Sequence, residues 1–185
     1  NNEKVAVNLS TVQFEHQEVP SMVAKALSDT GLAAERLEIE ITESTLMSDT
    51  DAALVMLEDL KKLGVNIAMD DFGTGYSSLS YISEFEFDKI KIDRSFVASI
   101  QNDERARAII TTIIGLGRAL DIMITAEGIE TNEQLLLIQA AGCHFGQGYL
   151  FGRPVPLSEI TEKQSAEANL EKTKVNPALI SSRVA

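Results

Sequence analysis

Residues 65–79 read Val-Asn-Ile-Ala-Met-Asp-Asp-Phe-Gly-Thr-Gly-Tyr-Ser-Ser-Leu. The first five have the length and composition of a buried strand, and they run directly into two acids, Asp70 and Asp71, and a glycine-rich turn over 72–76. Glycines at 73 and 75 open backbone angles that other residues resist, and a short helix is expected near Ser78. A strand, a tight turn and a helix make half of a repeating βα unit. The same unit recurs outward in both directions. Further strands are predicted over 4–8, 37–41, 89–92, 122–125 and 145–149. Between them lie runs of helical period. One covers about 21–29 and is closed by Gly31. The next starts at Ser48 as N-cap, shows Ala53, Met56, Leu57, Leu60 and Leu63 on one side and ends at Gly64. A long helix over about 104–120 presents Ile110, Ile113, Ile114, Gly117 and Leu120. The last runs over 132–141 and is closed by Gly142. Alternation of this kind predicts an α/β fold with a parallel sheet.

The 185 residues suit one domain, and 44% apolar with 24% charged residues describe a globular chain. Sixteen basic residues against 28 acidic ones give a net charge of -12. That field repels nucleic-acid polymers and anionic membrane surfaces. No stretch approaches the roughly 20 apolar residues of a membrane span, and the N-terminal residues lack signal-peptide organisation, so a cytoplasmic location, as a cytoplasmic protein or the cytoplasmic domain of a membrane-anchored parent, is expected. The single cysteine, Cys143, cannot form an internal disulfide and reads as a small buried hydrophobe. His16 and His144 lack ligand spacing. From Leu157 onward the chain is polar, with a sparse stripe at Leu157, Ile160 and Leu170. It is read as a domain over 1–157 followed by a peripheral helix and tail over 158–185.

Polar residues fall at the strand ends. Asn8 ends the first strand, Glu40 and Glu43 straddle the end of the second, and Asp70 and Asp71 end the third. Lys91 and Asp93 end the fourth, Glu127 and Glu130 follow the fifth, and Gln147 lies in the sixth. Each has an ordinary alternative: Asp70-Asp71 suits an Asx turn, Glu43 a helix-start acid, and Lys91 a solvated charge. Their recurrence at the same end of consecutive strands selects the site reading, because in a parallel barrel those ends gather on one face. Converging carboxylates repel one another unless a cation neutralises them, and an all-oxygen set without a His or Cys cluster suits Mg2+ or Mn2+.

Six ordered stretches carry a resemblance: Asn8-Leu9-Ser10; Glu40-Ile41-Thr42-Glu43-Ser44; 70–79; Lys91-Ile92-Asp93-Arg94-Ser95-Phe96; Ala126-Glu127-Gly128-Ile129-Glu130; and Gln147-Gly148-Tyr149-Leu150-Phe151. Together they resemble the EAL domain family from about residue 4 to 157. The resemblance implies a TIM-type (β/α) barrel and a phosphodiesterase that opens cyclic di-GMP to linear pGpG with two divalent cations, Mg2+ or Mn2+. It implies that Asn8, Glu40 and Asp70 hold one cation, and that Asp70 bridges to a second held by Asp71 and Glu127. Lys91 would orient the attacking water, Glu43 would brace the loop after Asp71, and Glu130, Gln147, Tyr149 and Arg94 would lie toward substrate. A homodimer contact near 72–76, with Phe72 and Tyr76 as its apolar surface, and an upstream regulatory or sensor domain are implied as well. The family's name motif, Glu-Ala-Leu, is absent, and six strands stand where a barrel has eight. The expectation is therefore a barrel lacking its first strands, with impaired activity in isolation. The rival readings are a catalytically inactive receptor or interaction domain and, more remotely, an unrelated metal-dependent lyase barrel.

Overall fold

A computed structural model of the chain describes residues 4–14, 18–48, 50–75, 82, 84–156 and 158–159. Asn1–Phe151 and Gly152–Ala185 form two separate compact units. The short helix expected near Ser78, Tyr76, His16 and nearly all of 158–185 lie outside the described residues.

Six strands form one parallel sheet in sequential order: β1 (Val5–Leu9), β2 (Leu37–Thr42), β3 (Asn66–Phe72), β4 (Lys89–Ile92), β5 (Met123–Ala126) and β6 (Phe145–Gly146). Every expected strand is present. β3 runs three residues beyond the expected end, and β6 is shorter, so Gln147 lies just past it. Among the described residues, the α-helices of this unit are α1 (Thr11–Phe14), α2 (Val19–Thr30), α3 (Glu43–Ser48), α4 (Thr50–Lys62), α5 (Arg94–Ser99), α6 (Glu104–Leu120) and α7 (Asn132–Ala140). Gly31 closes α2 in the left-handed conformation, as its position predicted. Ser48 is not an N-cap. It ends α3, a helix that the period alone had merged with the loop. Leu120 also departs from expectation, being exposed as the last residue of α6, just before Asp121 ends the helix in the left-handed conformation.

Side chains alternate across a strand, so the register fixes two faces. On one, Ile39 lies level with Ile67, Ile41 with Met69, Ile90 with Ile124 and Ile92 with Ala126. All are buried with Leu57 and Leu60 of α4, Val97 of α5 and Ile110 and Ile114 of α6. The other face carries Glu38, Glu40, Asn66, Asp70, Lys89, Lys91 and Thr125. Most of these are buried too. Parallel sheets are usually covered on both faces by apolar residues. Here the second face is buried but charged, and ion pairs take the place of hydrocarbon.

The alternation is broken once. Met69 pairs with Ile90 and Phe72 with Ile92, three steps on β3 against two on β4. This is a β-bulge, with Asp71 in the left-handed region at φ 54°. Asp tolerates that conformation better than most residues. The bulge returns Phe72 to the apolar face, where it is buried. Phe72 is thus core and not the loop's apolar surface.

Candidate active site

All six strands end on the same side of the sheet, and the bulge projects Asp70 and Asp71 there from consecutive positions. Lys91, two residues beyond Lys89 on β4, directs its ammonium into the acids. Its Nζ lies 2.6 Å from Glu127 Oε1, 2.8 Å from Glu40 Oε2 and 3.2 Å from Asp70 Oδ1. Asp70 Oδ1 also accepts the backbone N–H of Asp71 at 3.0 Å. Burial alone would favour neutral Lys91, but the bonds to Glu127 and Glu40 outweigh it and hold the amine well above its ordinary range. Lys91 is a fixed cation.

Three carboxylates form a tighter group. Oxygens of Asp70, Asp71 and Glu127 all lie within 4.8 Å of one another. Burial raises the pKa of Glu127 first, with Asp70 and Glu40 adding to it and Lys91 opposing. Burial also raises Asp71, followed by Asp70 and Asp93. Both groups bind protons more tightly than free carboxyls, first because they are partly removed from water and then because acids crowd them. The donors are hard oxygens, and Thr125, level with Lys91, has a buried hydroxyl without a hydrogen-bond partner among the described residues. A divalent cation fits such a set by its chemistry.

Glu43 opens α3 and is buried. Its Oε2 accepts the N–H of Gly73 at 3.4 Å, and a Cβ at Gly75 would stand 3.1 Å from its Oε1. Gly73 is favoured by its angle, φ 95°, whereas Gly75 lets the Glu43 carboxylate approach closely. Thus the carboxylate spans the turn after the bulge. Asp93 caps α5 by accepting from the N–H of Ser95 at 3.0 Å, which positions Arg94 at the first turn. Arg94 and Glu130 share a hollow of about 220 Å³ beside Gly128, where an added Cβ would come within 2.6 Å of Arg94 Cβ. Gln147 is tied by its backbone, donating to Ala126 at 2.8 Å and accepting from Ile129 at 3.0 Å, so it flanks the segment bearing Glu127.

Hence the structure brings together Glu40, Asp70, Asp71, Lys91 and Glu127, places Glu43 against the adjoining turn, and sets Arg94 and Glu130 along one hollow. Asn8 and Tyr149 lie on more exposed elements. Asn8 lies level with Glu40 on the exposed edge strand β1, and Tyr149 lies in an exposed turn after β6. Cys143 and His144 serve the backbone. The Cys143 thiol, raised by burial, donates to Ile124 O, and His144 Nδ1 accepts from Ile124 N–H at 3.1 Å. The bulge, the left-handed Asp71 and the capping role of Asp93 escaped sequence reading, although a doubled acid at a strand end was a usable hint of the bulge.

The EAL domain model matches residues 1–154. The chain belongs to the EAL domain family. It is 45% identical over 156 residues to the bifunctional diguanylate cyclase/cyclic di-GMP phosphodiesterase MucR of Pseudomonas aeruginosa, and 42% identical over 159 residues to the cyclic di-GMP phosphodiesterase NbdA of the same organism. These matches cover 84% and 86% of this chain and 23% and 20% of those proteins, so the chain spans about a fifth of the length of these curated relatives. The solved MucR phosphodiesterase in complex with c-di-GMP superposes with a TM-score of 0.82 at 44% identity, covering 85% of this chain and 64% of that one. Klebsiella pneumoniae BlrP1, solved with manganese and cyclic di-GMP, superposes with a TM-score of 0.78 at 33% identity, over 83% of this chain and 40% of that one. This EAL domain chain therefore has the TIM-type (β/α) architecture expected of its sequence. Among the described residues, no helix is long and apolar enough to cross a membrane.

Proposed function

We propose that this chain carries the hydrolytic site of a phosphodiesterase that opens cyclic di-GMP to linear pGpG with two divalent cations, Mg2+ or Mn2+. One observation carries the reading: the convergence of Glu40, Asp70 and Glu127 on Lys91, beside an oxygen triplet of Asp70, Asp71 and Glu127. The activities named for MucR and NbdA and the manganese complex of BlrP1 support it.

Asn8, Glu40 and Asp70 would hold one cation, and Asp70, Asp71 and Glu127 the other. When bound, such a pair supplies a water activated at neutral pH and charge to stabilise the oxygens of an in-line displacement. The rest falls to the chain's own residues. Hydrolysis forms a bond from water oxygen to phosphorus and breaks one phosphorus–oxygen ester bond, with the water's protons shared between solvent and the leaving oxygen. Lys91, held as an ammonium, can orient that water or a phosphate oxygen by donating, and it cannot take the proton. Glu127, bonded to that ammonium at 2.6 Å, fixes its direction, and the proton passes to solvent. Glu43 braces the turn that follows Asp70 and Asp71. Arg94, with Glu130, Gln147 and Tyr149, lies toward the nucleotide. The dianionic ligand is compatible with a chain of net charge -12 because the cations reverse the local field.

The parent is proposed to act in the cytoplasm, as a homodimer, under an upstream regulatory or sensor domain. The short share of the relatives' length that this chain matches supports the last point. The deciding experiment incubates the chain, and separately the longest form of the protein, with cyclic di-GMP and Mn2+, and resolves pGpG by chromatography. Turnover by the longer form, lost with Asp70→Asn, is expected, with the 185-residue chain much slower. Tight binding without turnover by the longer form would establish the receptor reading instead.

A further inference from the structure

Two ion pairs on the polar face are staggered against the strands that carry them. β2 presents Glu38 and Glu40, and β4 presents Lys89 and Lys91, each pair separated by about 7 Å along its strand. The ladder sets Glu40 level with Ala68, and Ala68 level with Lys89. The partner of Glu40 by register is therefore Lys89. The bonds run one rung lower. Lys89 Nζ donates to both oxygens of Glu38 at 2.6 Å, and Lys91 takes Glu40.

Two things hold Lys89 down. Glu38 is only 4% exposed, so its carboxylate needs a counter-charge. The ring of Phe145, on the same face of β6, lies 5.9 Å from Lys89 Nζ. The neighbouring acid, Asp88, is already engaged by Lys61 at 2.8 Å and by the N–H of Ile67 at 2.7 Å. Glu38 makes no bond to the acids of the candidate site, so its influence passes through Lys89.

We propose that Glu38 is a positioning residue: it holds Lys89 one rung below the site and so keeps a second ammonium off Glu40, leaving Glu40 to Lys91 and to a cation. Without Glu38, Lys89 has a flexible stem and, two strands away at its own level, a buried acid to satisfy. It then moves to Glu40, where its charge competes with any divalent ion. The value of Glu40 as a cation ligand rests on the function proposed above, whereas the exchange of partners does not.

The test uses the whole 185-residue chain. In a crystal structure of Glu38→Leu, Lys89 Nζ is expected within hydrogen-bond distance of Glu40. By calorimetry its Mn2+ affinity is expected to fall about tenfold. Adding Lys89→Leu removes the competitor, and the double variant should return to within about twofold of the wild-type affinity. A merely structural ion pair predicts the opposite order, with the double variant no better than the single one. Glu38→Gln, which keeps the side-chain shape, serves if Glu38→Leu does not fold, with the same movement of Lys89 expected. Lys89 staying off Glu40 in these variants overturns the proposal, as does a double variant that fails to recover. Absence of Mn2+ binding by the wild-type chain counts against the proposed function instead, and the crystal structures still decide the exchange.

Discussion

On β2, residues 37, 39 and 41 share a backbone with residues 38 and 40, yet the two sets live by different physics. Leu37, Ile39 and Ile41 face helices and stabilise the fold by leaving water. Glu38 and Glu40 face the other way, equally buried, and are held by lysines of β4. Burial of the first set is favourable in itself. Burial of the second is unfavourable unless every charge is matched, and a matched pair adds little net stability. The apolar face therefore holds the sheet together, whereas the charged face holds a chemical arrangement in place at little benefit to stability.

The strongest way to break that division is Asp70→Asn. Replacing the carboxylate shared by the ammonium and the acid triplet should lower turnover of the longer protein by about three orders of magnitude, about 4 kcal/mol of barrier. The unfolding midpoint in urea should stay close to that of the wild type. A comparable collapse in stability would show that the two faces are not separable. Ile92→Ala is the converse. It should cost about 3 kcal/mol of stability by urea denaturation, since a fully buried side chain leaves a cavity. Mn2+ affinity of the folded fraction should be preserved.

Glu43→Gln sharpens the comparison at the border between faces. Glutamine can still accept from Gly73 but lacks the charge, so turnover should fall about tenfold while stability changes by less than about 1 kcal/mol. Unchanged turnover in the longer protein removes Glu43 from the mechanism.

Glu127→Gln gives the smallest effect, read as a slope with pH in the cation-free chain. Burial and neighbouring acids raise the native carboxyl above its usual 4.5. Its contribution is thus fully present below 4.5 and is lost as pH rises through the raised native value. Relative to wild type, Glu127→Gln should gain stability from about pH 4 to pH 7, by about 1 kcal/mol at most. Urea midpoints across that range check it, and a flat difference would show that Lys91 fully compensates the acids.

The strand count, the parallel order and the ends of α6 were legible because alternation and helical period are local patterns. The acids were expected on one face because they recur at the same end of consecutive strands, which the strand boundaries alone reveal. Pairing across the sheet was not legible. That Lys91 bonds acids of two strands and of the segment after a third, or that Lys89 reaches down to Glu38, depends on stagger between strands that no single segment encodes. Phe72 was misplaced for a related reason. One unpaired residue upstream reverses which face a side chain meets, and a bulge leaves no period of its own. Ser48 failed because a helix of one or two turns, α3, sits where capping chemistry and a polar loop look alike.

Counting residues along β3 gives the bulge a further meaning. Between Met69 and Phe72 the strand needs only one residue to stay in phase with β4, and it has two. Excising Asp71 would leave Met69, Asp70 and Phe72 opposite Ile90, Lys91 and Ile92, an unbroken strand with no left-handed residue and Phe72 still in the core. The shortened chain would be the more regular sheet, and it would have one acid where the site has two. The second carboxylate is thus a single-residue insertion that the architecture tolerates without requiring, and the separation between a plain βα scaffold and this acid cluster is one codon wide.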